Sequence, residues 1–296
     1  MALSDNSSLI VDFQDIHQDA YVELDFQRIF RVPDNGYYIP TPYGWFPFVK
    51  ASEIHCKYIY GFNIDDIIIP MYQSEALCIH FSSNIVDEYG TGYPFAIKIY
   101  IDKLNALNGK KQNHSINKGE YIFLKNYNIL SYVKNKNSEF IQIVPIPVFY
   151  DNVNKNLKDN IHYYSLIIDI IPLKVDVFKN HYPEEKDFKD IHCIWGQLIE
   201  PELIKLEIDI FNGLDDDSSE NFDDIDDIEL ESEYIDRDNV FDNDDWDVTS
   251  AKRINVKIIN SLIYKNITGT YPCHSPLNES HYQKFGIPWL DWYSDQ

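Results

Sequence analysis

The sequence predicts a β-rich α+β protein, with antiparallel sheets in one or two layers and a few short helices. Three observations predict it. The 296 residues include 22 Tyr and 17 Phe with abundant Ile, and aromatic and β-branched side chains suit a pleated surface. Residues 95–101 alternate with a period of two: Phe95, Ile97, Ile99 and Ile101 share one face, Lys98 and Tyr100 the other. Elsewhere the apolar runs are short and bounded by Gly, Pro and Asn, which favours strands over helices.

In chain order, residues 1–20 are polar and weakly patterned and read as a flexible N-terminus. Residues 21–150 read as a first β-rich half. Its strands fall at 21–32, 53–62, 67–69 (capped by Pro70), 76–81, 95–101, 120–124 and 139–144. The stretch 33–48 holds four Pro, two Gly and six aromatics, so it suits neither a helix nor a central strand and reads as a cover packed over a sheet edge. A second β-rich half spans 151–214. It starts with a polar linker, 151–160. The run 161–178 is too long for one strand and breaks at Pro172, a charged loop follows at 180–190, and 191–199 and 203–211 read as strands.

Residues 215–245 read as an acidic disordered insertion, with too few apolar residues to offset ordering entropy and too much like charge to collapse. The remainder, 246–296, reads as a strand-helix unit and an aromatic segment packed on the core. Trp246 re-anchors the chain and 254–259 alternates as a strand. Asn260 and Ser261 cap a helix over 262–267 that Gly269 stops, and a second short helix covers 278–285. FAIKIYIDKLNALNGK (95–110) and INVKIINSLIYKNITGT (254–270) share a layout that a duplicated strand-helix unit explains.

The formal charge of −23 is unevenly spread. Residues 215–247 carry −16, and the other 263 residues only −7. Neither part attracts a phosphate backbone, so direct nucleic-acid binding is excluded as an expectation. Cys56, Cys78, Cys193 and Cys273 lack metal or redox spacing. No basic-then-apolar leader and no membrane-length apolar run is present, so the expectation is a soluble cytoplasmic protein that does not engage a membrane. The sequence has no dinucleotide fingerprint, phosphate loop, zincin helix or nucleophile elbow, and no cofactor or metal is expected.

The polar stretch at the head of the 76–81 run supplies the candidate site. Gln73, Glu75 and Lys98 form a polar cluster beside apolar strands, with Glu75 as base or ligand carboxylate and Lys98 as its partner. Asp291 from the closing segment is a third catalytic candidate, and Trp289 joins Gln73, Glu75, Lys98 and Asp291 as a binding residue. The competing reading has Glu75 satisfying backbone donors and pairing with Lys98 structurally. Cys78 and His80 share a face but lack further ligands nearby, and strand neighbours His192 and Cys193 point apart. Cys273 and His274 lie in a loop, where a dyad stays open. Asp242–Asp247 offers loose calcium ligands.

Two blocks carry a resemblance. Pro70-Met71-Tyr72-Gln73-Ser74-Glu75-Ala76, then Phe95-Ala96-Ile97-Lys98 and Leu104-Asn105-Ala106 with Gly109, form the first. Trp246, Ile267-Thr268-Gly269 and Gly286-Ile287-Pro288-Trp289-Leu290-Asp291-Trp292-Tyr293 form the second. They resemble the P-x-Y/R-Q-x-E-A, FAVK, INAVTG, W-x-x-ITG and GLPWFDYY signatures of an uncharacterised bacterial protein family. Cys78 and Tyr264 depart from it where tryptophans are expected. The resemblance implies a fold and no activity. The functional expectation is a non-enzymatic binding or structural protein acting through a protein partner, a basic one if the acidic segment is the contact. The alternative is an enzyme built on Glu75 and Lys98, and a lesser alternative is a calcium- or metal-dependent module.

Overall fold

The structure is a computed structural model, and it describes residues 2–4, 8–32, 42–54, 62–87, 89–137, 139–147, 163–182 and 239–294. The strands expected over 191–199 and 203–211, the linker 151–160, most of the 53–62 strand and of the 180–190 loop, and residues 215–238 of the acidic segment lie outside the described residues.

In chain order the strands are β1 (Ala2–Ser4), β2 (Ser8–Asp12), β3 (Tyr21–Phe30), β4 (Pro42–Trp45), β5 (Val49–Lys50), β6 (Ile67–Met71), β7 (Glu75–Ser83), β8 (Ile85–Val86) and β9 (Thr91–Gly92). They continue with β10 (Phe95–Ile101), β11 (Leu104–Asn105), β12 (Ile122–Leu124), β13 (Tyr127–Leu130), β14 (Tyr132–Lys134), β15 (Phe140–Gln142), β16 (Tyr163–Pro172) and β17 (Lys252–Asn260). Among the described residues, three short α-helices accompany them: α1 (Val175–His181), α2 (Ser261–Thr268) and α3 (Glu279–Lys284). The β-rich, antiparallel α+β expectation holds.

Two sheets organise the body. The first runs β1-β2-β3-β7-β13, with β4 also on β3. The second runs β11-β10-β16-β17-β6-β5, with β12 also on β10. Described pairings are antiparallel except β17 with β6, where Val256 lies beside Ile67 and Asn260 beside Met71. Alternation explains the core. Leu24, Phe26, Ile79 and Phe81 from the first sheet join Ile97, Ile99, Ile168 and Val256 from the second in one buried cluster. The two inner faces therefore pack against each other.

Several expectations need correction. Within the N-terminal segment expected to be flexible, residues 8–20 are not loose: β2 pairs with β3, and Leu9, Val11 and Phe13 are buried, because their side chains share the parity of the inner face. Pro70 does not end its strand. β5 pairs only with Ile67 and Ile68, and a residue without a donor is tolerated on the open edge beyond. The helical turn expected after Phe95–Ile101 is absent. Asp102 and Lys103 take positive φ (49° and 72°), and the chain doubles back into β11. Its counterpart does form a helix, with the Asn260 side chain accepting from Leu262 N–H and Gly269 ending it at φ 82°. The two segments share only their place, since β10 and β17 flank β16. Within the expected insertion, 239–245 belongs to the body. Phe241 is buried beside Trp246, which re-anchors the chain as expected.

Candidate functional site

The inner face of β3 reads Val22, Leu24, Phe26, Arg28, Phe30. A charge thus enters a row of core residues and requires a buried partner. The partner is Glu75, the first residue of β7, which lies opposite Phe30 in the same register and is 0% exposed. Arg28 Nε donates to Glu75 Oε1 at 3.0 Å, and Arg28 Nη2 donates to the same oxygen. The other oxygen, Oε2, accepts from Tyr72 N–H at 3.1 Å and lies 3.1 Å from His274 Nε2. Both carboxylate oxygens are thereby occupied.

His274 comes from the segment after α2, and that segment closes over the cluster. Its imidazole stands edge-on to Phe46 (84°) and Tyr72 (81°). Arg28 Nη2 also donates to the Ser275 carbonyl at 2.7 Å. Further along, the Tyr282 hydroxyl donates to the Ser74 carbonyl at 2.6 Å and accepts from Arg31 N–H at 2.9 Å. Burial pushes the Tyr282 phenol well above the usual tyrosine range. Gln142 ties in the end of β3, accepting from Val32 N–H and donating to the Phe30 carbonyl. Beneath this polar layer, Phe30, Val32, Leu277, Tyr282, Ile287 and Tyr293 form a separate apolar cluster. Among the described residues, Ser74 Oγ and His274 Nδ1 are buried in this cluster without a hydrogen-bond partner.

The sequence candidates divide. Glu75 and Gln73 are here; Gln73 is buried and its carbonyl accepts from Arg31 Nη1 at 3.0 Å. Trp289 packs against Tyr282 and Tyr293 at 5.1 and 5.6 Å and is part of the closing segment. Asp291 is exposed at the start of the 3-10 turn Asp291–Tyr293 and makes no ion pair among the described residues. The expected pairing of Glu75 with Lys98 does not form. Lys98 lies on the outer side of β10 in the second sheet, where its ammonium holds the carbonyls of Asn113 and Ser115 and Asn113 Oδ1. Burial keeps its pKa below the usual lysine value, against the pull of Glu120 and Asp169.

The remaining titratable candidates are settled by placement. Cys78 is buried and burial pushes its thiol up to about 12, whereas Cys273 is exposed. The Asp242 and Asp245 carboxylates cap their own turn, and that of Asp247 accepts from Thr249 and Ser250. No group of three His, Cys, Asp or Glu among the described residues is placed to hold a metal ion. Sequence reasoning missed Arg28 and Tyr282, and it weighed His274 beside Cys273 rather than as a partner of Glu75. Arg28 had a signal in its parity with Val22, Leu24 and Phe26. His274 had none, because its contact spans 199 residues.

No protein-family model, no curated protein and no solved structure matches the chain. No described helix is long and apolar enough to cross a membrane.

Proposed function

We propose that this is a non-enzymatic binding protein that acts in the cytoplasm through a basic protein partner. The observation that carries the reading is the closure of the Arg28–Glu75–His274 cluster. Both Glu75 oxygens are taken up by Arg28, His274 Nε2 and the Tyr72 N–H, and Arg28 also holds backbone of the closing segment, in a layer where Glu75 is 0% exposed. A general acid or base must reach a substrate proton, and this carboxylate is instead saturated by internal donors. Such a cluster holds a scaffold together, and a scaffold of two packed sheets is suited to presenting surface.

The charge distribution supports the rest. With −16 confined to residues 215–247, long-range attraction favours a cationic partner and repels nucleic acid. The test is affinity capture from the chain's own cell extract, using the full chain and a full-length variant with every Asp and Glu of 215–238 changed to Asn and Gln. Basic proteins retained by the first and lost by the second, with retention weakening as salt rises, are the expected result. Identical sets on both baits would refute the acidic segment as the contact, and an empty pair of baits would refute the partner.

A further inference from the structure

The outward face of the first sheet carries a second constellation, on the same two central strands that supply Arg28 and Glu75. Gln27 of β3 lies opposite Trp45 of β4, and Asp25 lies opposite His80 of β7. Tyr127 of β13 joins them at the far side, so the group spans four neighbouring strands. His80 is the centre. Its Nε2 lies 2.6 Å from Gln27 Oε1 and its Nδ1 lies 2.7 Å from the Tyr127 hydroxyl. With an amide oxygen facing it, Nε2 donates, and in the neutral ring Nδ1 accepts from the Tyr127 hydroxyl.

The imidazole stands nearly perpendicular to both flanking aromatics, at 80° to Trp45 and 78° to Tyr127, each 5.7 Å away. It separates the two rings and fixes them. Trp45 is 44% exposed and Tyr127 48% exposed. Large aromatics held in place yet half exposed are the usual mark of a contact surface, since little conformational freedom remains to be lost on binding.

Charge selects the occupant. Asp25 and Glu23 point outward from β3 between the aromatics and β2. No lysine or arginine points outward from the described residues of β2, β3, β4, β7 or β13, because Arg28 faces the core. Asp12 at the end of β2 is answered by Lys252, and Ser8 donates to Asp25 without neutralising it. An anionic ligand is repelled here. A cation gains twice, from the ring quadrupoles and from the carboxylates, and a planar guanidinium stacks where an ammonium cannot.

The geometry points to this face as a docking surface for arginine side chains of a basic polypeptide, with the guanidinium on Trp45 or Tyr127 and Asp25 and Glu23 as its counter-charges. The inference rests on reading the chain as a partner-binding protein, and it moves the specific contact from the acidic segment to the folded body. In this arrangement the acidic segment raises the encounter rate and the aromatic strip selects arginine.

The probe is a blocked Arg-Gly-Arg tripeptide titrated into the full-length chain, with the Trp45 indole N–H resonance identified through Trp45→Phe. The control is the same peptide with citrulline in place of arginine, which keeps the shape and removes the charge. A saturable shift of the Trp45 resonance is expected with arginine and none with citrulline. Affinity should fall about five- to ten-fold in Trp45→Ala, Tyr127→Leu and Asp25→Asn, and neutralising residues 215–238 should leave the Trp45 shift in place. If the peptide binds while the indole stays still, and neutralising 215–238 abolishes binding, this surface is refuted and the partner-binding reading stands. A shift with a neutral oligosaccharide but not with arginine also refutes it and reassigns the strip to a glycan. No shift with either probe refutes it outright, while the extract capture decides the broader reading independently.

Discussion

The two faces of the β3–β7 pair make opposite use of similar chemistry. On the inner face, Arg28, Glu75 and His274 are closed over by the segment from Cys273 to Tyr293. On the outer face, Gln27, His80 and Tyr127 form a hydrogen-bonded row beside Trp45, and the aromatics stay half exposed. Neighbouring residues of one strand differ only in parity, yet parity decides whether a polar group becomes a clamp or a surface. The difference teaches that a buried ionisable cluster need not be the reactive part of a molecule. Burial makes the inner cluster costly to break and hard to reach, whereas the outer row is cheap to alter and open to a ligand.

The largest effect should come from breaking the inner pair on one side. Glu75→Gln or Arg28→Ala leaves an uncompensated buried charge or donor set, and each should lower stability by about 3–5 kcal/mol in denaturant unfolding. The double variant Arg28→Ala with Glu75→Gln should cost less than the two singles together. Additive losses would mean that the two groups do not act as a pair. Next in size is Tyr282→Phe, which removes the hydroxyl linking Ser74 to Arg31. A loss of about 1–3 kcal/mol is expected, because a buried backbone donor and acceptor are orphaned together; no loss would show that the closing segment is held by apolar packing alone.

The outer face responds to pH. Burial lowers the folded-state pKa of His80 below its unfolded value, so the folded protein prefers the neutral ring. That preference contributes stability above the ordinary histidine range near pH 6.5, and the contribution is lost as pH falls through the lowered folded value. The imidazole titration followed by NMR should therefore show a midpoint below 6.5, with the Tyr127 and Trp45 resonances moving in the same step. A midpoint at or above 6.5 would contradict the neutral row. The smallest effect belongs to Trp45→Ala, which should change stability by less than about 0.5 kcal/mol while weakening arginine binding about five- to ten-fold. Thiol labelling sharpens the same contrast without a mutation. Cys273 should react in the native protein and Cys78 only after unfolding, as peptide mapping would reveal.

Much of the fold was legible in local patterns. Alternation located Phe95–Ile101 and the 254–259 stretch inside β17, and the Asn260 and Gly269 signals bounded α2. Leu9, Val11 and Phe13 alternate too, but over too few residues to outweigh their polar surroundings, so β2 became visible only through its pairing with β3. The candidate site was legible in part. Glu75 and Gln73 stood out as polar residues at the head of an apolar strand. Lys98 reads as a neighbour of Glu75 only if their strands share a sheet, whereas β7 and β10 lie in different sheets. Arg28 was readable from parity. His274 and Trp45 were not, because their partners are set by tertiary contacts that no periodicity encodes.

The parallel pairing of β6 with β17, single among the described residues, has a temporal consequence. β6 emerges from the ribosome long before β17, the strand that flanks it on its inner side, with roughly 180 residues between them, so at usual elongation speeds it waits on the order of ten seconds or more for its neighbour. Through that interval the edge of Ile67, Ile68 and Ile69 that β17 later covers has no permanent partner, and the nascent chain is most open to mispairing or chaperone capture there. Synthesis slowed between Met71 and Lys252 should therefore reduce the yield of native protein more than the same delay placed after Asn260.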